Sequence, residues 1–124
     1  MINYLEKNRK FAVIFMVLMA VEIFLVSSIT VSKPTTGGLN LSVLYHSIVF
    51  FLFSFFTILS IVKKNNKKMK SLILPVVISF LYAVLDEVHQ LFVPLRNASI
   101  LDVLVDTTGI LLSVAVYLYY KRTK

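Results

Sequence analysis

Five of the six acidic residues in this chain stand inside long apolar runs, and both histidines do too. They are Glu22, Asp86, Glu87, Asp102 and Asp106, with His46 and His89. Gln90 and Arg96 follow closely on Asp86 and Glu87. Carboxylates beside an imidazole are the parts of general acid–base chemistry. Asp86, Glu87 and His89 are the candidates for that work, Glu87 or Asp86 as acid or base with His89. The same groups, with an amide and a guanidinium, equally suit recognition of a polar ligand. An Asp, Glu and His cluster could also hold a divalent ion, yet Asp86-Glu87-x-His89 is not a specific ligand spacing, so no metal is assigned. The chain has no cysteine, which removes disulfides, thiolate–zinc sites and a thiol nucleophile. It has no Gly-rich phosphate loop, serine elbow or HExxH helix either.

The elements that position these groups follow from the composition. Apolar residues make up 58% of the 124 residues and charged residues only 15%, with the charges in clumps. A soluble domain has about 45–50% and about 25%. A bilayer span needs about 20 mostly apolar residues. Four stretches qualify, over residues 11–31, 41–62, 71–92 and 100–120, and predict an all-α polytopic membrane protein with one domain over residues 1–124. A cleavable leader is not expected, because the first apolar run is too long and no A-x-A-like site follows it.

Net charge is +7, but the basic residues flank spans rather than form a nucleic-acid face. Eleven of the thirteen lie before span one, in the connection Lys63–Lys70, or after span four. Lys33 and Arg96 alone lie on the other two connections. Lys and Arg near span ends favour the cytoplasmic side. Both termini are therefore expected inside, with residues 30–40 and 93–99 outside. The lysine connection itself reads as a topology signal.

At 1.5 Å per helical residue, Asp86 lies roughly 21 Å, Asp102 about 3 Å and Asp106 about 9 Å along their spans. Asp86 is counted from the inner boundary, the other two from the outer. His46 comes out roughly 7–8 Å below the outer boundary, and Glu22 about 16 Å from the inner one. All of them fall in the outer half. A charge at bilayer depth costs about 2.5–3.5 kcal/mol even on the mildest scale, so such groups face a bundle interior or a cavity. Tyr82, Asp86, His89 and Gln90 share one face of the third helix, with Glu87 on its flank. Asp102, Asp106, Gly109 and Ser113 share a face of the fourth, and Ser42, His46, Thr57 and Ser60 of the second. A polar pocket open to the outer leaflet results, with helices three and four as neighbours and Asp86 or Glu87 close to Asp106. Arg96 is expected to turn back over its mouth and pair with a carboxylate.

Simpler roles compete at several positions. Ser99-Ile100-Leu101-Asp102 fits a capping box. His46 and Glu22 suit interhelical hydrogen bonds. Gly109 and Ser113 suit close helix contact. Pro75 is tolerated in a first helical turn, and the Phe50–Phe56 aromatics read as lipid-facing or packing surface. Asn97-Ala98-Ser99 matches a glycosylation sequon pressed against the membrane.

The stretch Asp86-Glu87-x-x-Gln90-x-Phe92-x-Pro94-x-Arg96, followed by Asp102-x-x-x-Asp106-x-x-Gly109, resembles the signature of the VanZ-like family. His46 is similar to that family's histidine near the start of its second span. Leu95 stands where a glycine is common, Val43 where a basic residue often precedes the histidine, and Phe50 where a tyrosine is frequent. The resemblance implies a multi-pass protein of the bacterial cell membrane. The founding member is associated with low-level resistance to the glycopeptide teicoplanin, which makes tolerance of that type one expectation here.

Four functions fit, in descending order. The first is binding or modulation of a lipid-linked or lipophilic envelope compound. Arg96 would meet a phosphate or carboxylate, and Asp86, Glu87 and Gln90 would meet hydroxyl or amine groups. The second is an intramembrane enzyme acting on a lipid-linked substrate by carboxylate and histidine acid–base chemistry. A proton-coupled transporter and a structural subunit follow. The pocket set is Glu22, His46, Asp86, Glu87, His89, Gln90, Arg96, Asp102 and Asp106, with no cofactor and no nucleic acid. A membrane lipid or lipid-linked envelope molecule is the expected partner.

Overall fold

The computed structural model describes residues 2–30, 41–63, 68–96 and 98–123. Its helices are α1 (Ile2–Lys7), α2 (Arg9–Ser27), α3 (Leu41–Ile61), α4 (Ile73–Gln90) and α5 (Ile100–Arg122). A 3₁₀ turn, Met69–Leu72, leads into α4. The last four helices are each long and apolar enough to cross a membrane. The expected residues 31–40, Lys64–Lys67 and Asn97 lie outside the described residues, as does the side chain of Ser42.

The helix ends differ from expectation for local reasons. α4 stops at Gln90, two residues early. The amides of Leu91, Phe92 and Val93 bond to carbonyls three residues back, which tightens the chain into a turn. Pro94 has no amide to offer and Leu95 takes the left-handed conformation at φ 63°. That conformation costs a residue with a Cβ about 1–2 kcal/mol, which explains why glycine suits this position. Pro75 sits in the first turn of α4, where a missing N–H costs nothing. α5 runs on to Arg122, with Lys121 and Arg122 in the last turn, where they complement the helix dipole.

α3 is the axis of the bundle. In it, 56% of the apolar window is buried, against 17–33% in the other three helices. It packs against α2, α4 and α5. Phe50 and Phe53 join Ile23, Ala83 and Ile110 in one apolar cluster. Phe55, Ile58 and Leu59 join Ala12 and Tyr117 in another. Small residues let α3 and α5 approach closely, as they do in lipid where packing replaces the hydrophobic drive. Ser113 donates to Ser54 Oγ at 2.8 Å, and both are fully buried. Gly109 lies against the backbone of Ser47 and Phe51. Around this core, Phe11, Ile14, Leu18, Leu111 and Leu112 face outward, an exposed apolar surface that suits lipid.

The basic connections meet at one end of the bundle. Arg9 donates to the carbonyls of Ser60 and Ile61, the last of α3. Lys121 pairs with the buried Glu6 at 2.7 Å, which also accepts from Tyr117. Glu6 belongs to α1, an element the apolar-run reading missed because six mixed residues carry no span signal. Its position comes from Leu5, buried in the Tyr117 cluster, and from this ion pair. If this end is cytoplasmic, single cysteines at Thr30 and Ala98 should react with an impermeant reagent on intact cells. Cysteines at Lys63 and Thr123 should not, and the opposite labelling pattern would invert the bundle.

Candidate functional site

The other end of the bundle gathers the remaining acids, both histidines and Arg96. From α4, Asp86 accepts from Ser27 Oγ of α2 at 2.6 Å and from Gln90 Nε2 at 3.0 Å. Glu87, one position on, points toward α5 and accepts from the Ser99 amide at 2.8 Å and Gln90 Nε2 at 3.2 Å. Gln90 thus bridges both carboxylates with one amide nitrogen. Its oxygen accepts from Arg96 Nη1 at 3.3 Å. All three side chains are buried.

His46 on α3 and Asp106 on α5 are paired at 3.1 Å across the helix interface. His46, Glu87 and Asp106 each offer one atom within 4.8 Å of the others, so the shared site expected of helices three and four includes the second helix too. Glu22 lies beside it on α2, accepting from Tyr45 Oη at 2.6 Å, and the Tyr45 ring meets His46 edge-on. His89 stands on the α2 side, 3.0 Å from Ser28 Oγ and 4.7 Å from the Phe24 ring centre. Among the described residues it shares no hydrogen-bond partner with Glu87 or Asp86, the acids expected to work with it.

Two expectations are corrected. Arg96 does turn back over the site, but it pairs with no carboxylate among the described residues. Besides Gln90 it donates to the carbonyls of Val26 at 2.9 Å and Ile29 at 3.2 Å, at the C-terminal end of α2. Asp86 and Glu87 already accept from Ser27, Gln90 and the Ser99 amide, and carbonyls at a helix C-terminus attract a cation. The capping box is also incomplete. Ser99 does cap α5, accepting from Leu101, yet its own amide goes to Glu87 rather than to Asp102. Asp102 stands half-buried in the first turn of α5, where a negative charge is favourable.

Ser27, Ser28, Tyr45 and Ser99 complete the site and went unread in the sequence as site residues. Ser27-Ser28 closing an apolar run, and Tyr45 next to His46, were the available signals. Chemically, the arrangement is a buried, hydrogen-bonded acid network under a half-buried guanidinium. It can hold an anion at the mouth and polar hydrogens or a cation beneath.

No curated protein and no solved structure matches the chain. A family model described as VanZ/LLP1 matches residues 3–121. With four helices able to span the bilayer and that match over nearly the whole chain, this multi-pass membrane protein belongs to the VanZ/LLP1 family.

Proposed function

We propose that the polar end of the bundle faces the outer surface of a bacterial cell membrane. There it binds a lipid-linked or lipophilic envelope compound with an anionic headgroup. Arg96 carries this reading. Its guanidinium is held at the mouth by one amide oxygen and two carbonyls, so its charge is left for an incoming phosphate or carboxylate. Arg suits such groups because its planar fork bonds two oxygens at once. Beneath it, Gln90, Asp86 and Glu87 form a fixed network that holds the mouth in shape, and His89 and Asp102 flank it within reach of hydroxyl or amine groups. The apolar outer surface of the helices would receive the lipid chain.

Sequestering such a compound, or changing its availability, would alter sensitivity to agents that act on the cell envelope, glycopeptides of the teicoplanin type among them. The test is growth of a deletion strain across cell-wall antibiotics, complemented with wild type, Glu87→Gln or Arg96→Lys. Both variants should lose the wild-type phenotype at near-normal membrane abundance. Full phenotype in both would reduce the polar network to a structural role. Turnover of a polyprenyl-linked compound by the purified protein would favour the enzyme instead.

A further inference from the structure

Beneath the proposed headgroup mouth, Glu87 of its supporting network converges with two side chains that headgroup binding does not use, His46 and Asp106. We propose that His46, Glu87 and Asp106 form a binding site for one divalent transition-metal ion, of the zinc or manganese class, in the interior of the bundle.

The geometry comes first. Each of the three offers one nitrogen or oxygen, and these atoms lie within 4.8 Å of one another. One pair, His46 Nδ1 and Asp106 Oδ1, is 3.1 Å apart. Two donors bound at about 2.0–2.2 Å to one ion stand about 3–3.5 Å apart at tetrahedral to octahedral angles, so this edge already has the right length. The Glu87 oxygen lies within 4.8 Å of the other two ligand atoms. One ligand comes from each of α3, α4 and α5, so an ion here would tie together three helices that pack on one another.

Hydrogen bonding supplies an independent observation. Asp106 is fully buried, and its Oδ2 finds no hydrogen-bond partner among the described residues. A buried carboxylate oxygen without a donor is costly, and most such groups in folded proteins are satisfied. Here it belongs to the same carboxyl group that meets His46 and converges with Glu87.

Charge and ligand chemistry select the ion. Glu87 and Asp106 bring two carboxylates into a site where neither has an arginine or lysine partner among the described residues; Arg96 is taken up by Gln90 and two carbonyls. A divalent cation would balance both. One imidazole with two carboxylates suits zinc or manganese better than calcium or magnesium, which prefer oxygen ligands alone. Around the ligands, the Ser99 amide and Gln90 hold Glu87, and Tyr45 packs against His46, the kind of support that orients metal ligands. Three protein ligands leave positions open on the ion, as in sites that also accept water or another group.

Metal content tests this without reference to any lipid. The full chain, purified in detergent and stripped with a chelator, is dialysed separately against zinc, manganese and magnesium. It is then assayed by elemental mass spectrometry and by thermal melting followed by circular dichroism. Wild type should take up one zinc or manganese per chain, melt at a higher temperature when loaded, and take up little magnesium. Glu87→Gln and Asp106→Asn should each bind at least about tenfold more weakly, while Thr108→Ala, exposed on α5, should bind as wild type does. Stoichiometric cobalt on wild type should give visible absorption bands, a readout that survives if either variant fails to fold. No stoichiometric metal in wild type, no cobalt bands, or unchanged affinity in both folded variants would overturn the site.

Discussion

Arg96→Gln is expected to weaken binding of a polyprenyl phosphate to the purified protein by about tenfold to a hundredfold. A hydrogen bond to a charged group contributes about 1.5–3 kcal/mol, and 1.4 kcal/mol is a factor of ten. Folding should be affected little. The acceptors released are the carbonyls of Val26 and Ile29 at the end of α2 and Gln90 Oε1 just beneath the half-buried guanidinium, where water can take its place. Arg96→Lys should fall in between, keeping the charge and losing the two-pronged geometry. Native mass spectrometry across a lipid titration reads all three proteins. Equal affinities would place the headgroup elsewhere on the bundle.

Gly109→Ala should be the most damaging small substitution in the α3–α5 interface. A Cβ there would overlap the Ser47 carbonyl oxygen and come within 3.0 Å of the Phe51 nitrogen and 3.1 Å of the Ser47 carbonyl carbon. All three are backbone atoms, so no side chain can swing away and the helices must part. Overpacking of this kind costs about 1–3 kcal/mol, against the roughly 1 kcal/mol that alanine gains over glycine within a helix. The backbone contact made by Gly109 adjoins His46–Asp106 and lies about one turn from Ser54–Ser113, so separation would loosen both. A lower melting temperature in detergent and lower membrane abundance are expected. Ser113→Ala, which removes one interhelical hydrogen bond of about 0.6 kcal/mol, should do less. Wild-type stability in Gly109→Ala would mean that α3 and α5 are not this close.

The four spans were legible because lipid imposes a length and a composition that few other contexts share. The gathering of Asp86, Glu87, His46 and Asp106 at one end was legible too, since a fixed rise per residue turns sequence position into depth. Small residues at Gly109 and Ser113 pointed to helix contact, and both make it. What escaped was the choice of partner. Ser27 and Asp86 are 59 positions apart, and Tyr45 and Glu22 are 23 apart, pairings set by how helices rotate against each other rather than by any local pattern. A local rule assigned the Ser99 amide to Asp102, and a tertiary contact from Glu87 took it. Charge alone drew Arg96 toward a carboxylate. The left-handed step at Leu95 and the carbonyls at the end of α2 gave it a nearer resting place.

The proposed anion binding at that resting place is tested most directly by one measurement. The measurement is the affinity of wild-type protein, in one detergent, for a polyprenyl phosphate and for the polyprenol of equal chain length. An anion-binding mouth at Arg96 predicts a preference for the phosphate of at least about tenfold, the worth of one charge-assisted hydrogen bond. Equal affinity for the two, or binding of neither, would contradict it.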